Sequence, residues 1–247
     1  MTPILAAAVL LELFTSEGCS SCPPADAVLA RLHREQPVPG VQLIVLSEHV
    51  DYWNRLGWKD PFSAAVFSDR QDRYGGHIYT PQAVVDGHAD VLGSDERAIV
   101  RAVTAAGREP HGTLRLSAIP SGVRIAVTGL SGHSDAEVVV AVVEDGLVST
   151  VERGENAGRT LAHTAVVRAL HRGGTIPAAA DQWSGEVPVS LDDSWKQPRV
   201  VAFVQDARSQ RILAAGVLEK EGDGGAAKRD QRATDDQAHG AKNAHAP

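Results

Sequence analysis

Residues 12–26 read Glu12-Leu13-Phe14-Thr15-Ser16-Glu17-Gly18-Cys19-Ser20-Ser21-Cys22-Pro23-Pro24-Ala25-Asp26, and they hold both of the chain's cysteines. The stretch begins inside an apolar run, Val9 to Phe14, of the kind that forms a strand covered on both faces. Thr15 to Cys22 is small and polar, which predicts a loop. Pro23 and Pro24 suit a first helical turn, where a missing N–H costs nothing. Ala25, Val28, Leu29 and Leu32 then recur at one-face helical spacing, and Pro37 to Gly40 ends the helix. In this order Cys19 stands at the helix N-terminus, where orphan N–H groups and the helix dipole favour its thiolate. Cys22, one turn later, can resolve a mixed disulfide formed at Cys19. Ser20 and Ser21 are small enough to leave the Cys19 sulfur accessible.

Two other readings of C-x-x-C stay open beside the redox one. A structural disulfide or a redox-dead relic needs nothing more than the pair. A zinc site wants four ligands, and the sequence offers neither a second cysteine pair nor suitably spaced histidines near the first. No metal and no cofactor are therefore expected. Two cysteines in 247 residues do not make a disulfide scaffold.

Outward from the pair, the first half alternates strand and helix. Val41 to Leu46 is a second strand, Ser63 to Arg73 a helix, and Ala83–Val85 with Ala89–Leu92 a hairpin turned at Asp86-Gly87. Ser94 is the expected N-cap of a helix reaching Ala106. Tyr52, Trp53, Trp58, Phe62, Phe67, Tyr74 and Tyr79 crowd into the connection after the second strand. Beyond Gly107–Gly112 the pattern becomes period two, with runs at 113–118, 123–127, 136–143, 159–170, 183–191, 199–205 and 211–218. The expected fold class is thus an α/β thioredoxin-like domain over residues 1–108, with an aromatic-rich insertion at about 49–80, followed by an all-β sandwich-like domain over 111–219. Residues 220–247 lack large apolar side chains and are expected to be a disordered tail.

The proline loop supports that reading. Tyr79-Thr80-Pro81 precedes an apolar run, as a cis-proline loop does in a thioredoxin-type fold. A cis bond lets the Thr80 backbone face the cysteines and pair with an extended substrate. An ordinary trans-proline strand start is the bland alternative.

Residues 12–26, together with His49-Val50-Asp51-Tyr52-Trp53, Gly57-Trp58-Lys59-Asp60-Pro61-Phe62, Tyr79-Thr80-Pro81-Gln82 and Gly154-Glu155-Asn156-Ala157-Gly158-Arg159-Thr160, resemble a bacterial thioredoxin-like family of unknown function, domain of unknown function 1223. The resemblance spans roughly residues 9 to 218. It implies a thioredoxin-like first part and a β-rich second one, and it names no substrate.

Further candidates come from position. Glu12 interrupts the first apolar strand and is a candidate proton acceptor for Cys22, since desolvation raises a carboxyl toward neutrality. His49, Asp51 and Trp53 follow the second strand at the carboxyl end, where open α/β sheets keep their crevice, and with Thr80 and Pro81 are expected to line a substrate groove. Asn156, Arg159, His163 and Arg168 form a polar set in the second half, with no chemistry assigned.

The functional expectation is a thiol/disulfide oxidoreductase acting through Cys19 and Cys22 on a protein or small-molecule thiol or disulfide. The alternative is a redox-inactive or metal-binding module that recognises a protein or Cu(I), which thiolates favour. A net charge of −7 without a basic block argues against nucleic-acid and anionic-membrane partners. No run reaches the ~20 apolar residues of a membrane helix. Ile4 to Leu11 has no basic residue ahead of it, so the chain as written reads as cytoplasmic, and as periplasmic or secreted if the start is misassigned.

Overall fold

The computed structural model describes residues 7–218; the tail expected at 220–247 lies outside them. The strand before the cysteines is β1 (Ala7–Thr15), buried from Val9 onward, and helix α1 (Pro23–Glu35) follows the C-x-x-C. Prolines occupy the first turn of α1, and Ala25, Val28, Leu29 and Leu32 form its buried face. The helix stops at Gln36, in left-handed backbone, whose side chain bonds the carbonyl and N–H of Leu43. That lashes the helix end to β2 (Val41–His49), which runs parallel to β1 from Ala7↔Val41 to Thr15↔His49. Helix α2 (Ala65–Arg73) precedes β3 (Gln82–Val85), antiparallel to β1 and hairpinned to β4 (Ala89–Leu92). Helix α3 (Glu96–Ala106) closes the first half. Its N-cap is Asp95 rather than Ser94: the Asp95 carboxylate accepts from the Ala98 N–H at 2.9 Å.

The second half is antiparallel: β5 (Thr113–Ile119), β6 (Gly122–Thr128), β7 (Ala136–Glu144), β8 (Leu147–Thr150), β9 (Thr160–His163), β10 (Val166–Ile176), β11 (Gln182–Pro188), β12 (Arg199–Asp206) and β13 (Ile212–Val217).

The expected division into an α/β thioredoxin-like domain and a separate β-sandwich does not hold. The fold is mostly β, and strands of both halves join one mixed eight-stranded sheet in the order β13-β12-β7-β10-β2-β1-β3-β4. The seam is β2 against β10, where Val166 pairs with Ser47 and the Ser47 N–H donates to the Ala165 carbonyl at 2.8 Å. The far edge returns to the first half: the Ile212 N–H donates to the Asp86 carbonyl, and the Asp86 carboxylate accepts from the Leu10 N–H. One apolar core accordingly runs from Leu11, Leu29 and Ile99 to Val143, Phe203 and Ile212. The smaller sheet β11-β6-β5 covers the other face of β7, β12 and β13, enclosing Ile125, Val138, Ile176 and Val204. The physical reason is economy of surface: β7 and β12 are apolar on both faces, so each face needs its own cover.

Candidate functional site

Cys19 and Cys22 are joined in a disulfide at the head of α1. Cys22, not Cys19, is the N-cap residue, and its carbonyl accepts from the N–H groups of Ala25 and Asp26. The Cys22 N–H donates to the Cys19 carbonyl, so Cys19 sits one turn ahead of the helix. The peptide bond Thr80-Pro81 is cis, and the Thr80 carbonyl oxygen lies 3.9 Å from the Cys19 sulfur.

Cys19 is only 1% exposed and Cys22 is fully covered, so the expected open sulfur is not found in the disulfide form. The cover around Cys19 is polar as well as apolar. The Ser21 hydroxyl is 3.3 Å from its sulfur, and the flanking Ser20 and Ser21 are exposed. Trp53 brackets the loop: its indole N–H donates to the Thr80 hydroxyl at 2.8 Å, and a β-carbon at Gly18 would come within 3.0 Å of the Trp53 β-carbon.

The other expected groove residues part company. Asp51 accepts from the Ser68 hydroxyl at 2.6 Å, at the start of α2. His49 is wholly buried and bonds Asp60 through Nδ1 at 2.7 Å. Burial opposes a charge on His49, but the Asp60 carboxylate, with Asp26 and Glu17 nearby, lifts its pKa above the usual 6.5. Asp60 is also desolvated, yet His49 and the N–H groups of Glu17 and Phe62 hold its carboxyl below 3.8. Glu12 lies elsewhere. Side chains alternate along β1, and Glu12 meets Arg70 Nε at 2.5 Å and the Tyr74 hydroxyl, groups of α2 and the turn after it. Leu13, on the opposite side of the strand, converges with Pro81 and Ala25 of α1 on Gly93. Glu12 is thus held by Arg70 and Tyr74, and no hydrogen bond among the described residues joins it to the cysteine loop.

Sequence reasoning missed a buried carboxylate in the first turn of α1. Asp26 follows Cys22 by one helical turn and accepts from the Thr15 hydroxyl at 2.8 Å. Burial raises its carboxyl above 3.8, with His49 and His163 pulling back. In sequence it looks like an ordinary first-turn acid. A second omission is Glu17, two residues before Cys19, which accepts from Trp58 Nε1 at 2.7 Å, from the Ser149 hydroxyl, and bonds His163 Nε2 at 3.0 Å.

Of the polar set in the second half, Asn156 reaches the cysteine loop directly. Its side-chain amide donates to the carbonyls of Glu17 and Cys19 at 2.8 and 2.9 Å. Arg159 donates to the Asn156 amide oxygen at 2.7 Å, and the Glu155 carboxylate accepts from the Ser20 N–H at 3.0 Å. Arg168 instead pairs with Glu144. Among the described residues no three His, Cys, Asp or Glu side chains converge as metal ligands, and no helix is long and apolar enough to cross a membrane.

Two solved structures share the architecture. Protein AGR_C_4864 of Agrobacterium tumefaciens is 28% identical, with a TM-score of 0.68 over 86% of this chain and 94% of its own. HBP35 of Porphyromonas gingivalis, at 17% identity, matches 94% of this chain and 81% of its own with a TM-score of 0.59, a likeness of fold alone. No curated protein matches. Residues 10–205 match the family described as Protein of unknown function, DUF1223, and the chain is a member of that family.

Proposed function

We propose that the chain exchanges thiols and disulfides with a partner through Cys19 and Cys22. The observation that carries the reading is the Cys19–Cys22 disulfide at the head of α1, with the Thr80 carbonyl beside the Cys19 sulfur. A partner thiolate attacks the Cys19 sulfur and the S–S bond breaks. The electron pair leaves on Cys22, which takes a proton. A second partner thiol, deprotonated, attacks the partner sulfur of the mixed disulfide and expels Cys19 as thiolate. The partner's dithiol is oxidised and the Cys19–Cys22 pair reduced, and the reverse sequence reduces a partner's disulfide. Asp26, a buried carboxyl one helical turn after Cys22 whose pKa burial raises, is given the proton-donor and acceptor role in place of Glu12. Trp53 and Thr80 border the entry, and the covered Cys19 requires them to yield when a partner arrives.

The test is turnover of insulin disulfides by dithiothreitol, with and without the protein. Wild type is expected to accelerate reduction, Cys19→Ser to abolish the acceleration, and Cys22→Ser to accumulate a mixed disulfide. Wild-type rates no higher than dithiothreitol alone would remove the proposal.

A further inference from the structure

Four side chains from residues 149–163 reach back to the loop that carries Cys19: Ser149 and His163 hold Glu17, Glu155 takes the Ser20 N–H, and Asn156 takes the carbonyls of Glu17 and Cys19. Asn156 is 1% exposed, and its amide is fixed in orientation because Arg159 occupies the oxygen, leaving the NH2 for the two carbonyls.

We infer that Asn156 is a positioning residue that clamps the Cys19 loop in its ring-closed geometry and so favours the disulfide over the dithiol; the inference rests on the exchange function proposed above. In the disulfide form the covalent link restrains the loop with or without Asn156. In the dithiol form only the clamp does. Removing the clamp therefore frees the dithiol more than the disulfide, lowering the effective concentration of one thiol toward the other. Satisfaction of the backbone acts in the same direction. Without Asn156 the Glu17 carbonyl loses its side-chain donor and the Cys19 carbonyl keeps only the Cys22 N–H, and a buried acceptor left short of partners is costly. A loop released from its cross-link can turn such carbonyls to water; a cross-linked one cannot.

The experiment is equilibration of the purified full chain with glutathione buffers of graded ratio, reading the reduced fraction by thiol alkylation and mass. Asn156→Ala is expected to shift the constant about tenfold toward the dithiol, which converts to ~30 mV for a two-electron couple. Arg159→Ala changes an exposed residue and frees the Asn156 amide to turn; it is expected to shift the constant the same way, at least twofold. A role in stability alone would lower the melting temperature and leave the constant in place. If Asn156→Ala does not fold, Arg159→Ala decides. Constants within twofold of wild type for every folded variant, or a shift toward the disulfide, would overturn the inference. The constant is defined whether or not wild type turns over insulin, so loss of the exchange function and loss of the clamp are told apart.

Discussion

His49 and Asp60 make a fully buried pair behind the cysteine loop, and its pH dependence is fixed by the two directions of shift. The raised His49 pKa means that its contribution is complete below 6.5 and is lost as pH rises through the folded value. The depressed Asp60 pKa gives a contribution complete above 3.8 and lost as pH falls through its folded value. The pair thus stabilises fully between those limits. Asp60→Asn leaves His49 buried without its counter-ion and is expected to cost about 3 kcal/mol at pH 5.5, since breaking a buried pair costs about 3–5 kcal/mol. Urea unfolding at pH 5.5 and pH 9 should show the difference between the two proteins narrowing at the higher pH, where the Asp60 bonds to backbone N–H groups remain but the ion pair is gone. Asp26 has the opposite consequence. Its raised pKa gives a contribution complete below 3.8 and lost as pH rises through the folded value. Asp26→Asn keeps an oxygen for Thr15 while removing that loss, so it is expected to be more stable than wild type at pH 8 and equal at pH 3, by the same measurement. Trp53→Ala removes the bond to Thr80 and is expected to speed reduction of the disulfide by dithiothreitol several-fold, followed by thiol release. The nearness of His49 and Trp53 to the cysteine loop was readable, because β2 runs beside β1 and ends level with it, Thr15 opposite His49. Asp60 and Asp26 were not, because burial of a carboxylate is decided by residues distant in sequence.

Elements announced by local pattern are found where the periodicity put them. The apolar face of α1, the Asp86-Gly87 hairpin and the alternation of β5 and β6 all lie within short windows. The run 159–170 misled because it is continuous in composition but broken in backbone: Ala165 adopts φ 55, ending β9 and starting β10. Strand β8 was missed, four residues with Leu147 and Ser149 on one side and an exposed Val148 on the other. Ser94 and Asp95 are both good caps by type, and only geometry separates them. Asp95→Ala is expected to destabilise by about 1 kcal/mol, the usual worth of such a cap, and Ser94→Ala by no more than a few tenths. Paired thermal melts read the difference.

The whole molecule is where sequence reasoning failed, and the reason is visible in the seam. A parallel pairing between Ser47 and Val166 leaves no signature near either residue. The change of texture near 107–112 therefore suggested two independent cores, whereas Phe203 and Ile212 are packed with Leu11 and Leu29. A shared core predicts shared unfolding. Trp53 and Trp58 report the first half and Trp183 the second, so single-tryptophan variants should give superimposable denaturation curves. Two resolved midpoints would contradict a common core.

Asn156 stands 137 residues after the cysteine whose carbonyl it holds. During synthesis both sulfurs leave the ribosome long before their clamp has been translated, so they meet the compartment's oxidants or reductants on an unfinished chain. Asn156, in the turn between β8 and β9, can close over the cysteine loop only after that exposure.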